Sequence, residues 1–122
     1  MMILPHDHGH NDSIETILGR MPAGPDLETV ADIFHQMSDT SRLRIFWMLC
    51  HCEECVLNIA AAVGMSSPAV SHHLRTLKSA GLIVGRREGK EVYYKAAETE
   101  AAKLLHRMME QLLEISCPGE GR

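Results

Sequence analysis

The sequence predicts a mainly α fold with a small β-hairpin, a dimeric winged helix-turn-helix, and three observations predict it. Val56, Ile59, Ala60 and Val63 recur at i, i+3, i+4 and i+7, one buried stripe at the helical period. After a short break, Val70, Leu74 and Leu77 line one face of a second helix that runs from Ser67 to Ala80. Leu82-Ile83-Val84, a turn signal at Glu88-Gly89, and Val92-Tyr93-Tyr94 then read as a hairpin.

Residues 1–25 predict a flexible arm, dense in Pro and Gly, with a short helix over Asp12 to Leu18. His6, His8 and His10 alternate beside Asp7 and offer imidazoles to a borderline ion such as zinc; the other reading is a solvated tail. Residues 26–116 predict the winged helix-turn-helix domain with flanking dimerisation helices. Asp26 caps a helix carrying Leu27, Val30, Ala31 and Phe34 on one stripe. Ser38-Asp39 caps a second, apolar nearly all round from Leu43 to Leu49 and therefore central, with Arg42 and Arg44 as solvated exceptions.

Cys50, Cys52 and Cys55 follow within six residues. Three thiols so spaced can converge on a soft cation; thiolates select zinc, cadmium, lead, copper(I) or arsenite over hard ions. Cys50 shares the Phe46 face of its helix and also reads as a small buried hydrophobe.

Gly64 can take the left-handed conformation that ends the first helix of the pair. Ser66 and Ser67 offer capping hydroxyls to the second, and Pro68 fits its first turn, where a missing N–H costs nothing. Opposite the buried face of this helix stand Ser71, His72 and Arg75, donors on a helix able to enter a major groove about 12 Å wide. With Ser67 and Lys78 on the helix, and Arg86, Arg87 and Lys90 at the hairpin, they are the candidate DNA contacts. His72 and His73 point about 100° apart and cannot easily chelate one ion.

The last helix is predicted from about Glu98 to Ile115, with Ala101, Leu104, Leu105, Met108, Leu112 and Ile115 on one stripe. A terminal helix this apolar needs a partner, which points to a homodimer. Residues 117–122 read as a tail, with Cys117 a thiol able to pair with another cysteine.

The net charge of −4 disfavours loose nucleic-acid binding by the whole surface. Its distribution reverses that, because residues 56–87 contain no Asp or Glu but hold Arg75, Lys78, Arg86 and Arg87. No apolar run approaches the roughly 20 residues of a membrane span, and Met1 to Leu4 is too short for a secretory signal, so a cytoplasmic location is expected. The cysteine spacing is unlike a secreted disulfide framework.

The run SSPAVSHHLRTLKSAGLIVGRREGKEVYY resembles the recognition helix and wing of the ArsR/SmtB family of metal-sensing repressors, and SDTSRLRIFWML resembles that family's preceding core helix. The resemblance spans about Leu27 to Leu113. It implies dimerisation through the first and last helices, and places Cys55 where many members keep a cysteine ligand. Several members add a cysteine or aspartate two or three residues on, where this chain has Leu57 and Asn58; Cys52 and Cys50 stand in their stead. Some members also bind zinc across the dimer, at positions that correspond to Glu98, Glu100, Gln111 and Glu114. Without imidazoles those glutamates are read as solvated surface, and His106 as a ligand without support.

The expectation is therefore a repressor, not an enzyme, binding an inverted-repeat operator as a homodimer. A soft or borderline ion (zinc, cadmium, lead or arsenite) at Cys55, Cys52 and Cys50, with the His6 to His10 arm, would release it. The alternative is a thiol redox or reactive-sulfur sensor on the same scaffold. A cysteine-nucleophile enzyme lacks both a cleft and a group to orient its histidine base.

Overall fold

The computed structural model describes residues 4–116. Cys117 lies outside them. Two compact units divide at Ala31 and Asp32, with one helix starting in the first and ending in the second.

In the first unit His6, His8 and His10 stack in succession, with ring centroids 5.9 and 6.1 Å apart. Asp7 accepts from the backbone N–H of Gly9, and α1 follows over Asn11–Gly19. Helix α2, Gly24–Gln36, begins two residues before the predicted cap, so Asp26 lies in its first turn. There a carboxylate still favours the positive end of the helix dipole. The predicted stripe of Leu27, Val30 and Phe34 is exposed. Further along α2, it is Ile33, followed by Met37, that packs against the core of the second unit.

The second unit is built on α3, Thr40–His51, capped by Asp39, whose carboxylate accepts from the backbone N–H of Arg42. Ile45, Phe46 and Leu49 are fully or almost fully buried, whereas Trp47 is 40 % exposed. The helix is therefore central on one face only. Arg42 is not merely solvated: its Nε donates to the carbonyl of Gln36 at 2.8 Å and ties α2 to α3.

A two-residue strand, β1 (Glu54–Cys55), leads into α4 (Val56–Val63), then α5 (Ser67–Ser79). Gly64 stops α4 at φ +69°, and the Ser66 hydroxyl accepts from the N–H of Ala69 to start α5. Val70, Leu74 and Leu77 of α5 and Ile59 of α4 join the α3 residues in one core. At about 1.5–3 kcal/mol per large side chain, this burial holds the pair in place.

The hairpin of β2 (Ile83–Glu88) and β3 (Glu91–Ala96) completes a three-stranded antiparallel sheet in the order β1-β3-β2. Cys55 pairs with Tyr93 and Glu54 with Tyr94, adding a strand to the predicted hairpin. Leu82 lies just before β2, fully buried. The Tyr94 ring lies over Gly85, where an added Cβ would sit 3.0 Å from it, so a side chain there would require the ring to give by a few tenths of an ångström.

Helix α6, Glu100–Ser116, buries Ala102 and Leu105 and leaves Leu104, Leu112 and Leu113 exposed. Phe34, Met37, Leu43, Trp47, Met108 and Leu112 line an open apolar groove of about 840 Å³. Among the described residues no helix is long and apolar enough to cross a membrane.

Candidate functional site

Three turns of α5 decide what its outer face presents. With Val70, Leu74 and Leu77 in the core, His72, Arg75 and Lys78 are exposed and Ser71 half-exposed. Ser67 is the first residue of α5 and half-buried; the cap is Ser66. Among the described residues no carboxylate forms an ion pair with Arg75, Lys78, Arg87 or Lys90. These four cations are not neutralised by a neighbouring carboxylate among the described residues.

Arg86, by contrast, is paired. Its Nε and Nη2 donate to Glu53 at 2.8–3.0 Å, its Nη1 donates to Glu88, and its guanidinium lies 5.0 Å from the Tyr93 ring centroid. The two carboxylates hold Arg86 well above its ordinary pKa, and Arg86 holds Glu53 below the usual carboxylate range. Arg86, expected to be a phosphate contact, is held here in an internal clasp: strand alternation turns residue 86 towards Glu53, away from Arg87.

His73 flanks the buried face of α5, as its spacing predicts. Its Nε2 lies 4.0 Å from Asp39, its Nδ1 is buried without a partner among the described residues, and burial pushes its pKa below the ordinary histidine value. His72 diverges from it, the two ring centroids lying 5.7 Å apart.

The three cysteines are not brought together. Among the described residues the one trio of potential ligands with donor atoms within 4.8 Å of each other is His51, His106 and Glu110. Cys50 sits half-buried on α3. Burial, reinforced by Glu110, pushes its thiol up to about 11, so it is protonated near neutrality. Cys52 is exposed as the C-cap of α3, its thiol directed at the Met48 carbonyl. Cys55 is buried on β1. Cys50 is in the last turn of α3, Cys52 is its extended cap and Cys55 lies on a paired strand, and in this structure the three thiols do not form one cluster of donor atoms.

His51 was not picked out by spacing. It lies 55 residues from His106 in sequence, yet their Nε2 atoms are 3.2 Å apart. His106 and Glu110 are one turn apart on α6, a pairing that was visible as i, i+4.

The profile of the bacterial regulatory protein arsR family matches residues 39–84. The transcriptional repressor SmtB homolog of Synechocystis is 33% identical over 105 residues, covering 86% of this chain and 80% of that protein. A cadmium resistance transcriptional regulatory protein, the CadC homolog of Staphylococcus aureus, is 34% identical over 91 residues, 74% of this chain and 75% of its own. Among solved structures, a homodimeric winged helix-turn-helix DNA-binding domain from Mycobacterium bovis superposes with a TM-score of 0.70 at 29% identity, covering 84% of this chain and 98% of that one.

Proposed function

Since this chain belongs to the ArsR family of bacterial regulatory proteins, we propose that it is a homodimeric repressor whose α5 reads an inverted-repeat operator and whose release is ion-controlled. The observation that carries the reading is the outer face of α5. Ser71, His72, Arg75 and Lys78 project from a helix whose inner face is fully buried, within a stretch free of acidic residues. Ser71, His72 and Arg75 meet base edges; Ser67, Lys78, Arg87 and Lys90 meet the backbone. Two helices in successive major grooves require two copies of the chain. The exposed Leu104, Leu112 and Phe34 and the groove they adjoin supply an apolar face for the second copy.

Cys52 and Cys55 are the thiols assigned to the regulatory soft or borderline ion, which when bound cross-links them. Cys50, protonated and half-buried, is left out. The lever is built into the chain. Cys55 is paired through β1 to Tyr93, and Glu53 between the two thiols is clasped to Arg86, so a shift of this segment reaches the wing directly. An ion lowers operator affinity only if it binds the free dimer more tightly than the DNA-bound one, and a tenfold loss needs about 1.4 kcal/mol of coupling.

Fluorescence anisotropy with a labelled inverted-repeat duplex, with and without zinc, cadmium, lead and arsenite, tests the reading. The expected result is tight dimer binding that at least one ion weakens tenfold and Cys55→Ser protects. Binding indifferent to every ion overturns the sensing half, and a monomer without affinity for duplex DNA overturns the whole.

A further inference from the structure

We propose that His51, His106 and Glu110 form a binding site for a borderline divalent cation of the zinc type, within one chain and separate from the cysteines. His51 is the last residue of α3; His106 and Glu110 lie one turn apart on α6. The three donor atoms make a triangle: His106 Nε2 is 3.2 Å from His51 Nε2 and 3.2 Å from Glu110 Oε1, and His51 Nε2 is 3.8 Å from the same oxygen. Tetrahedral ligands at 2.0–2.1 Å from zinc are about 3.3 Å apart, so two edges already match and the third needs to close by about half an ångström.

Hydrogen bonding alone does not account for the arrangement as well. The Nε2 atoms of both rings and a carboxylate oxygen face one another, and His106 Nε2, with one proton or one lone pair, can make one full hydrogen bond or share a weaker bifurcated one between its two neighbours. A cation at the centre takes a lone pair from each. The two imidazoles meet edge-on at 84°, with centroids 4.8 Å apart, and Trp47 packs on His51 with ring centroids 4.3 Å apart, which fixes that ring.

The donor chemistry selects the ion. Two imidazoles and a carboxylate suit zinc and its borderline neighbours, not a hard ion that wants oxygen alone or a soft one that wants thiolate. The side chains of His51, His106 and Glu110 are 45%, 29% and 41% exposed, so an ion has an entry path and a water can fill the fourth position. Occupied, the site cross-links the end of α3 to the middle of α6.

The test is a zinc titration of the full-length, reduced, chelator-treated protein in its Cys52→Ser form, which removes the exposed thiol of the other ion site, followed by imidazole ¹H–¹⁵N correlation and a competing chromophoric chelator, with no DNA present. The expected result is that one zinc equivalent per chain shifts the ring nitrogens of both His51 and His106 and raises the thermal midpoint. His106→Gln then removes the His51 shift and weakens that equivalent at least tenfold. Glu110→Gln, isosteric and at a half-exposed position, weakens it comparably while the zinc-free protein stays folded with a cooperative thermal transition. Zinc that leaves both rings unmoved overturns the proposal, and so does a Glu110→Gln protein of undiminished zinc affinity. Because the readout needs neither operator nor thiols, its failure leaves the repressor reading intact.

Discussion

Glu53 and Arg86, 33 residues apart in sequence, face each other across the sheet with both carboxylate oxygens and two guanidinium nitrogens engaged at 2.8–3.0 Å. The segment that carries the thiols is thereby fastened to the wing, and one of the wing's arginines is engaged within the chain. A bidentate pair fixes geometry as well as charge, which a flexible lysine would not do.

The salt dependence of operator binding is expected to tell the wing cations apart. Each lost phosphate contact lowers the slope of log affinity against log salt by ~0.9. Arg87→Ala and Lys90→Ala are each expected to flatten the slope by about that much, and Arg86→Ala to leave it unchanged. Anisotropy titrations at several salt concentrations check this; a flattened slope in Arg86→Ala would show that the clasp opens on DNA.

Arg75 is expected to carry base discrimination. It is exposed on the outer face of α5, one turn after Ser71, and a guanidinium reaching a guanine edge is worth about 1–3 kcal/mol. Arg75→Ala should lose that much affinity for the operator and bind a duplex substituted at one base pair of each half-site as well as it binds the original. Uniform weakening on both duplexes would make Arg75 a backbone contact instead.

Local signals made much of the fold legible. Gly64 at φ +69°, the Ser66 cap and the Gly89 turn each act within four residues, so the helix pair and hairpin could be placed from spacing alone. What escaped is long-range. Strand β1 is two residues long and exists only because Cys55 and Glu54 find Tyr93 and Tyr94. Arg86 looked like one more wing cation because Glu53 is distant in sequence, and His51 had no helical companion to announce it. The stripe on α2 is legible as apolar from its spacing, but the spacing does not say whether it is covered, and Leu27, Val30 and Phe34 are exposed.

The cap at Ser66 is expected to be worth about 1 kcal/mol, the usual loss when a capping hydroxyl becomes alanine. Its oxygen accepts from the N–H of Ala69 at 3.3 Å, at the entrance to α5. Ser66→Ala should lower the urea midpoint accordingly, and Ser66→Asp should restore most of it; an unchanged midpoint in Ser66→Ala would mean that water satisfies the helix start.

Thiol reactivity should separate the cysteines. With its thiol pushed up to about 11, Cys50 is only about one part in a thousand thiolate at pH 8, and half-buried besides. Cys52 is exposed. Brief iodoacetamide treatment of the reduced native protein, read by peptide mass mapping, should label Cys52 well before Cys50; equal labelling would contradict the protected setting of Cys50.

Stability is expected to fall on mild acidification because of His73. Its side chain is 14% exposed, and burial lowers its pKa below 6.5. The charges around it act in opposite directions, Asp39 favouring the protonated ring and Arg42 and His72 opposing it, with burial the largest influence. The folded state therefore binds this proton more weakly than the unfolded chain does. The resulting stability is fully present above about pH 6.5 and is lost as the pH falls from there towards the folded value. Asp39, held below its ordinary value chiefly by the N–H of Arg42, adds a loss of the same sign only nearer pH 4. Urea midpoints at pH 7.5 and 5.5 should accordingly drop further for the wild-type chain than for His73→Gln, whose amide keeps a donor beside Asp39 without titrating. Equal drops in the two proteins would place the acid sensitivity among the exposed histidines instead.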